Sequence, residues 1–278
     1  MEPTDRPLVT MRQPTLFMPH GAGPCFFIKD LIGPPGTWDG MEAYLRGLHQ
    51  YFPAPPRAIL VVSAHWEADV ATVGTAATPG IFHDWYDEGT KPMPPEVTAL
   101  DWPAPGAPDV AKRVVALLTG AEIAVAEDPE RGFDHGVFVP LLLAYPEADI
   151  PTVTLSLQRD LDPAHHLAIG RALAPLRDEG IAIIGSGFSF HTMSAQDPTT
   201  ASRSFDAWLA ETIALEPAAR AERLLEWEKA PHGRASHRTE EHLAPLFVAA
   251  GAADDTPGRV VYQEDLRIGV RVSGYAFG

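Results

Sequence analysis

The chain has 278 residues, 45% of them hydrophobic, with 37 acidic against 21 basic side chains and a formal charge of −16. That balance argues against nucleic acid and anionic membrane surfaces as partners, since both need a basic footprint, while a small anionic ligand held by one local cation stays compatible with it. Cys25 is the only cysteine, which rules out an intrachain disulfide and a cysteine-built metal site.

The opening MEPTDRPLVTMRQP has no apolar run, and no stretch reaches the ~18 apolar residues of a membrane helix, so a cytoplasmic location is expected. PTLFMPHG (14–21) reads as a short strand running into a turn. TWDGMEAYLRGLHQYF (37–52) has Met41, Tyr44, Leu45 and Leu48 at helical spacing. AILVVSAHWE (58–67) is a continuous apolar run, the mark of a strand covered on both faces, yet it finishes on a histidine. VATVGTA (70–76) reads as another strand. Residues 78–108 are rich in Pro, Gly, Asp and Trp, and ordered loops of that length are usually functional.

Strand and helix signals then alternate. PDVAKRVVALLTG is a helix, IAVAED a strand, GVFVPLLLAYP an apolar helix despite Pro140, and PTVTLSL a strand. PAHHLAIGRALAPLRDEG is a helix closed by Gly180, and IAIIGSG is a buried strand entering a glycine turn. One or two helices are expected over 204–230 and a further one in TEEHLAPLFVAAGAA. RVVYQED and IGVRVSGYAFG form a closing pair of strands. With no repeat and no linker, the expected fold class is α/β: a single domain with a mostly parallel central sheet flanked by helices.

Ligands of such sheets bind outside the carboxyl ends of the strands. Three histidines fall there: His20 after LFMP, His65 at the end of AILVVSA, and His191 after IAIIGSGFSF. Gly21, Gly23, Gly185 and Gly187 beside them are expected to let the backbone approach a bound group. His135 opens an apolar helix with Asp134 as its N-cap, and Pro245 delays another helix so that Glu240, Glu241 and His242 stand at its entrance. For any one of these histidines a packing, capping or surface role is ordinary; three after three buried strands are harder to assign to packing. His83 and His237 are expected as supporting or substrate contacts, and the other histidines as structure or surface. Imidazoles and a carboxylate suit a divalent first-row metal at the strand ends, either non-haem Fe(II) for O₂ chemistry or hydrolytic Zn(II). Spacing alone does not choose between them, and HExxH, GxSxG, the P-loop and the dinucleotide fingerprint are absent.

PHGAGPCFF, VVSAHWE, GFDHGVFVPL, IPTVTLSL, GSGFSFHTM and TEEHLAPLFVAAGAA, in that order, resemble the class III extradiol ring-cleavage dioxygenases. The match is best to the DOPA 4,5-dioxygenase-like branch of the family that includes the protocatechuate 4,5-dioxygenase catalytic subunit. The resemblance implies a catalytic domain over 14–278 behind an extension of residues 1–13. It places the first two metal ligands on His20 and His65. The third falls on Glu241 by analogy with the better-studied branch, or on His242 by analogy with the DOPA branch, with His242 favoured. It places the acid/base histidines on His191 and His135, His191 also being counted as a ligand in this branch.

The implied reaction opens an aromatic diol beside its two hydroxyls with O₂, on Fe(II), with Zn(II) as the alternative metal in the isolated protein. His191 takes the catechol proton, and His135 orients oxygen or returns a proton, roles suited to a side chain that exchanges protons near neutrality. A small aromatic diol and O₂ are the implied partners, and a homo-oligomer is compatible with the resemblance. A zinc-dependent hydrolase on the same histidines is the alternative; a non-catalytic binding module would lack His191 or His135. The chain departs from many relatives in HDWYDEGTKPMPPEV and in Ser189-Phe190-His191-Thr192. Trp85, Tyr86 and Trp102 are therefore expected to wall the pocket, Lys91 is expected as a solvated surface lysine with a substrate carboxylate as its alternative partner, and the substrate is expected to be a lignin-derived or otherwise substituted catechol acid and not DOPA.

Overall fold

The computed structural model describes residues 11–29, 31–85, 93–193, 195–253 and 255–278. In chain order the elements are β1 (Thr15–Pro19), α1 (Asp39–Arg46), β2 (Ala58–Ala68), β3 (Ala71–Gly74), α2 (Pro95–Thr98), α3 (Pro108–Gly120), β4 (Val125–Asp128), α4 (His135–Ala144), β5 (Thr152–Gln158) and α5 (Pro163–Leu173). They continue with α6 (Pro175–Asp178), β6 (Ile181–Gly187), α7 (Pro198–Ile213), α8 (Pro217–Leu225), α9 (Gly233–Ser236), α10 (Ala244–Gly251), β7 (Gly258–Leu266) and β8 (Val270–Phe277). The strands form one sheet in the order β4-β3-β5-β2-β6-β1-β8-β7.

The four central strands, β5, β2, β6 and β1, run parallel. β3 and β4 pair parallel to each other, with β3 antiparallel to β5, and β8 is antiparallel to both β1 and β7. Period-2 alternation divides each central strand between two cores. Leu60, Val62, Ile183 and Phe17 pack on one face with Leu118, Leu167 and Phe247. Ile59, Val61, Ile184, Leu16 and Met18 pack on the other with Met41, Val137 and Leu141. Both faces are covered, so the chain is one α/β domain, and the strand ends are the place left open for a site.

Several expected helices are shorter or divided. The 37–52 helix stops at Arg46, and a 3-10 turn, Leu48–Tyr51, follows Gly47. The 163–180 helix divides into α5 and α6 where Pro175 enters. α10 begins only at Ala244, with Pro245 in its first turn, which leaves 239–243 as a turn at the strand ends. The long loop holds α2, and no described helix is long and apolar enough to cross a membrane.

Gly185 and Gly187, expected to let the backbone approach a bound group, are packed against backbone. A Cβ on Gly185 would stand 2.2 Å from Pro245 O, and one on Gly187 2.2 Å from His242 O. These glycines let the segment before α10 lie directly on the end of β6, where Phe188 N donates to His242 O at 3.0 Å.

Candidate metal centre

His20 follows β1 immediately, and its backbone N–H donates to Gly187 O, fixing it to the end of β6. His65 does not end its strand. β2 runs on to Ala68, but its register against β5 shifts between Val62 and Glu67, so Ser63–Trp66 bulge from the ladder. Both backbone groups of His65 find side chains instead: its N–H donates to Ser63 Oγ (3.2 Å) and its carbonyl accepts from Arg131 Nη2 (3.2 Å). Ser63 Oγ donates to Asp134 Oδ1 (2.7 Å), and Arg131 pairs with Asp134 Oδ2 (2.9 Å). Asp134 is the N-cap residue of α4 but makes no side-chain cap. The His135 N–H is met by Asp84 Oδ1 at 2.9 Å, from 51 residues away.

The ring orientations follow from hydrogen-bond accounting. Pro140 has no N–H to offer Gly136 O across one turn of α4. The Ser186 hydroxyl donates to that carbonyl at 2.5 Å, which commits its only proton. Ser186 Oγ must then accept from His20 Nδ1–H (3.0 Å), which leaves the lone pair of His20 Nε2 facing the site. A proline inside a helix thus sets the tautomer of a histidine on a neighbouring strand end. The same logic holds at His242 and His135, whose Nδ1 atoms lie 3.1 Å from Glu241 Oε1 and 2.8 Å from Asp84 Oδ2, both acceptors, leaving Nε2 outward.

These nitrogens converge. His20 Nε2 and His65 Nε2 are 3.1 Å apart. Two cis imidazole nitrogens sharing one first-row ion at ~2.1 Å each lie about 3.0–3.4 Å apart, so the pair is spaced for a common ion. One ligand atom from each of His20, His65 and His242 lies within 4.8 Å of the others. Burial, and then the neighbouring imidazoles, holds His20 well below the ordinary histidine value and His65 down to about 2. Burial also brings His242 to about 4, against the opposing pull of Glu241. All three are neutral at neutral pH, the form that binds a metal. Cysteine-free imidazole donors of this kind fit a borderline divalent ion.

The structure brings all five expected histidines together. The His65 and His135 rings are 3.9 Å apart, His20 and His135 5.4 Å, and His191 stacks on His242 at 3.5 Å and 17°. Glu241 stands behind them: its Oε1 lies 3.1 Å from His242 Nδ1 and 3.3 Å from His191 Nδ1, and Thr239 donates to its Oε2. Burial pushes this carboxyl up, but hydrogen bonds from His191, His242 and Thr239 outweigh that and hold it far below the usual carboxylate range. Asp84 is likewise held low, burial being outweighed by His135 and His65. His237 is buried, donates to Ser189 O (3.1 Å) and so supports the segment carrying His191. His83 packs against Trp85 and Phe138.

The histidines open onto a cavity of about 410 Å³ whose apolar walls include Ile32, Trp38, Phe188, Met193 and Ile268. This corrects the expected wall. Trp102 is fully buried and donates to Tyr145 O (2.9 Å) in the core, Trp85 packs on Phe138, and Tyr86 and Lys91 lie outside the described residues. Among the described residues the walls come from the loop after β1, the segment after β6 and the turn before β8, whose apolar residues carry no periodic signal.

A doubly covered α/β sheet with a histidine cluster at its strand ends and an apolar-walled cavity above it fits a metal-dependent enzyme. The family described as the catalytic LigB subunit of aromatic ring-opening dioxygenase matches residues 17–277, and the chain belongs to it. The 4,5-DOPA dioxygenase extradiol of Beta vulgaris is 41% identical over 211 residues, covering 73% of this chain and 76% of that protein. Dioxygenase tasH of Hapsidospora irregularis is 35% identical, covering 95% and 85%. The crystal structure of an uncharacterized protein from Escherichia coli K12 superposes with a TM-score of 0.74 at 29% identity, covering 96% of this chain and 100% of that one. The chain is thus a class III extradiol ring-opening dioxygenase of the DOPA 4,5-dioxygenase-like branch.

Proposed function

We propose that this dioxygenase opens the ring of a catechol-type diol with O₂, on a single Fe(II) held by His20, His65 and His242. The observation that carries the ligand set is the 3.1 Å approach of His20 Nε2 and His65 Nε2, with the His20 lone pair turned inward by Ser186. His242 is the third ligand in this reading. Glu241 serves as the acceptor that turns its ring, since Glu241 groups with His191 and His242 and not with His20 and His65. Iron bound there supplies the electron transfer that lets O₂ react with a closed-shell diol, and every other part is protein chemistry.

His191 removes a phenolic proton. With Nδ1 toward Glu241, its Nε2 is the available base, and its ring lines the cavity beside His242. His135 lines the cavity opposite. With Nδ1–H fixed on Asp84, its Nε2 is placed to orient oxygen and relay a proton to the opening ring. Trp38, Ile32, Phe188 and Ile268 clamp the ring and exclude water, which confines the reaction to the intended fragments. Residues 14–278 are the catalytic unit, residues 1–13 an extension, and the one buried cysteine suits a reducing cytoplasm. The ring substituent is taken to be an acid, lignin-derived catechol acids included.

The test is anaerobic removal of metal, reloading with Fe(II) or with Zn(II), and oxygen-electrode assay on a panel of catechols. Fe(II) protein is expected to consume one O₂ per catechol and yield a ring-opened semialdehyde, while Zn(II) protein consumes none. Zinc protein that hydrolyses esters, with an iron form inert to O₂, would establish the hydrolase instead.

A further inference from the structure

The Arg131 guanidinium lies between two aromatic rings, 4.9 Å from the centroid of Trp66 and 4.8 Å from that of Phe82. A flat, delocalised cation suits such a slot, and a lysine ammonium does not fill it. Its Nη2 carries two hydrogens, and both are committed: one to His65 O at 3.2 Å, the other to Asp134 Oδ2 at 2.9 Å. Asp134 accepts in turn from Ser63 Oγ, and Ser63 Oγ accepts from the His65 N–H. The hydrogen bonds therefore form a closed ring, which leaves from the N–H of His65 and returns to its carbonyl.

What the ring encloses is the bulge of β2. The register against β5 shifts between Val62 and Glu67, and side chains take over there from the partner strand. The neighbouring elements are fitted to the ring. A Cβ on Gly136, in the first turn of α4, would stand 2.9 Å from Ser63 Oγ and 3.2 Å from Asp134 Oδ1. On the other side Phe82 ties Arg131 to the long loop. The Phe82 N–H donates to Phe133 O and the Phe133 N–H to Gly80 O, both at 2.8 Å, and a Cβ on Gly132 would stand 2.6 Å from Gly80 O. Two residues past Phe82, Asp84 meets His135 Nδ1. One guanidinium thus joins the strand that carries His65, the aspartate that precedes His135 and the loop that delivers Asp84.

We propose that Arg131 is a positioning residue of the metal centre, acting through this ring on His65, whose role as a ligand is the reading on which this rests. The ring fixes both peptide groups of His65 and so aims its Nε2 at the point it shares with His20 Nε2. Arg131 itself takes no part in ring opening. Because the ring is closed, opening it at Arg131 or at Ser63 releases the same bulge. The two losses therefore do not add, whereas two independent supports would give additive losses.

The experiment measures Fe(II) affinity without oxygen, by competition with a chromogenic chelator, in the wild type, Arg131→Gln, Arg131→Lys, Ser63→Ala, the double variant Arg131→Gln/Ser63→Ala, and His65→Ala. Circular dichroism of each metal-free protein at the assay temperature reports its fold. Arg131→Gln and Ser63→Ala are each expected to weaken Fe(II) binding ~10-fold or more with an unchanged spectrum, the scale of a lost outer partner. The double variant is expected to bind within about 2-fold of the weaker single one. Arg131→Lys, which keeps the charge but not the planar fit, is expected to fall between wild type and Arg131→Gln. Should Arg131→Gln not fold, Arg131→Lys takes its place in the same cycle. Wild-type affinity in either single variant, or losses that add in the double one, overturns the proposal and leaves His65 a ligand. Wild-type affinity in His65→Ala overturns the ligand reading and the proposal with it.

Discussion

His20→Ala and His65→Ala each lose bound metal and ring-opening activity together, while the fold survives. His20 follows β1 and His65 sits in the bulge of β2, both outside the alternating apolar contacts that build the two cores. The variants keep the parallel pairing of β1 and β2 with β6, so circular dichroism and the thermal midpoint stay close to wild type. Metal content, by elemental analysis after dialysis, falls to background because two nitrogens spaced for one ion have become one. Ser186→Ala belongs to the same test. It keeps every proposed ligand but removes the acceptor that fixes the His20 tautomer. Loss of such an outer partner costs roughly 10–100-fold in metal affinity, so this variant falls between wild type and His20→Ala. Full metal content in either histidine variant would displace the site.

His191→Phe separates chemistry from binding. The phenyl ring preserves the flat stack on His242, now at 3.5 Å, and leaves His20, His65 and His242 untouched. Metal is retained and a catechol still binds, measured under anaerobic conditions by its perturbation of the iron spectrum. Turnover falls by ~100-fold or more, the usual scale for a lost general base. The loss appears in kcat with little change in KM, as for a group that acts only in the transition state. Near-normal turnover would reduce His191 to a packing partner of His242.

Much of this was legible because the central strands are covered on both faces. Runs such as Ile59–Val62 and Ile181–Ile184 admit few structures other than a buried strand, and a histidine just past each run has only the strand-end crevice to occupy. What failed was nonlocal. Ser186 lies 166 residues from His20, and Asp84 51 residues from His135, and no local pattern announces that a serine or an aspartate will orient a distant ring. The bulge at Ser63–Trp66 was equally hidden, since its stability comes from Arg131 and Asp134 rather than from the strand itself. Glu241 and His242 are adjacent, and spacing says little about which side chain faces inward. Trp102 of the long loop went astray for a related reason: composition marks it as a candidate wall, but only packing against Phe133 shows it to be core.

The proposed site stands or falls on the identity of the three nitrogens around the metal. Crystals of Fe(II)-loaded protein, grown without oxygen and measured on both sides of the iron absorption edge, give the ion's position directly. One anomalous peak is expected about 2.1 Å from Nε2 of each of His20, His65 and His242. Among the described residues, two other groups of side chains are close enough to hold an ion, His65 with Asp84 and His135, and His191 with Glu241 and His242. A peak bonded to Asp84 and His135, or to Glu241 and His191, would contradict it.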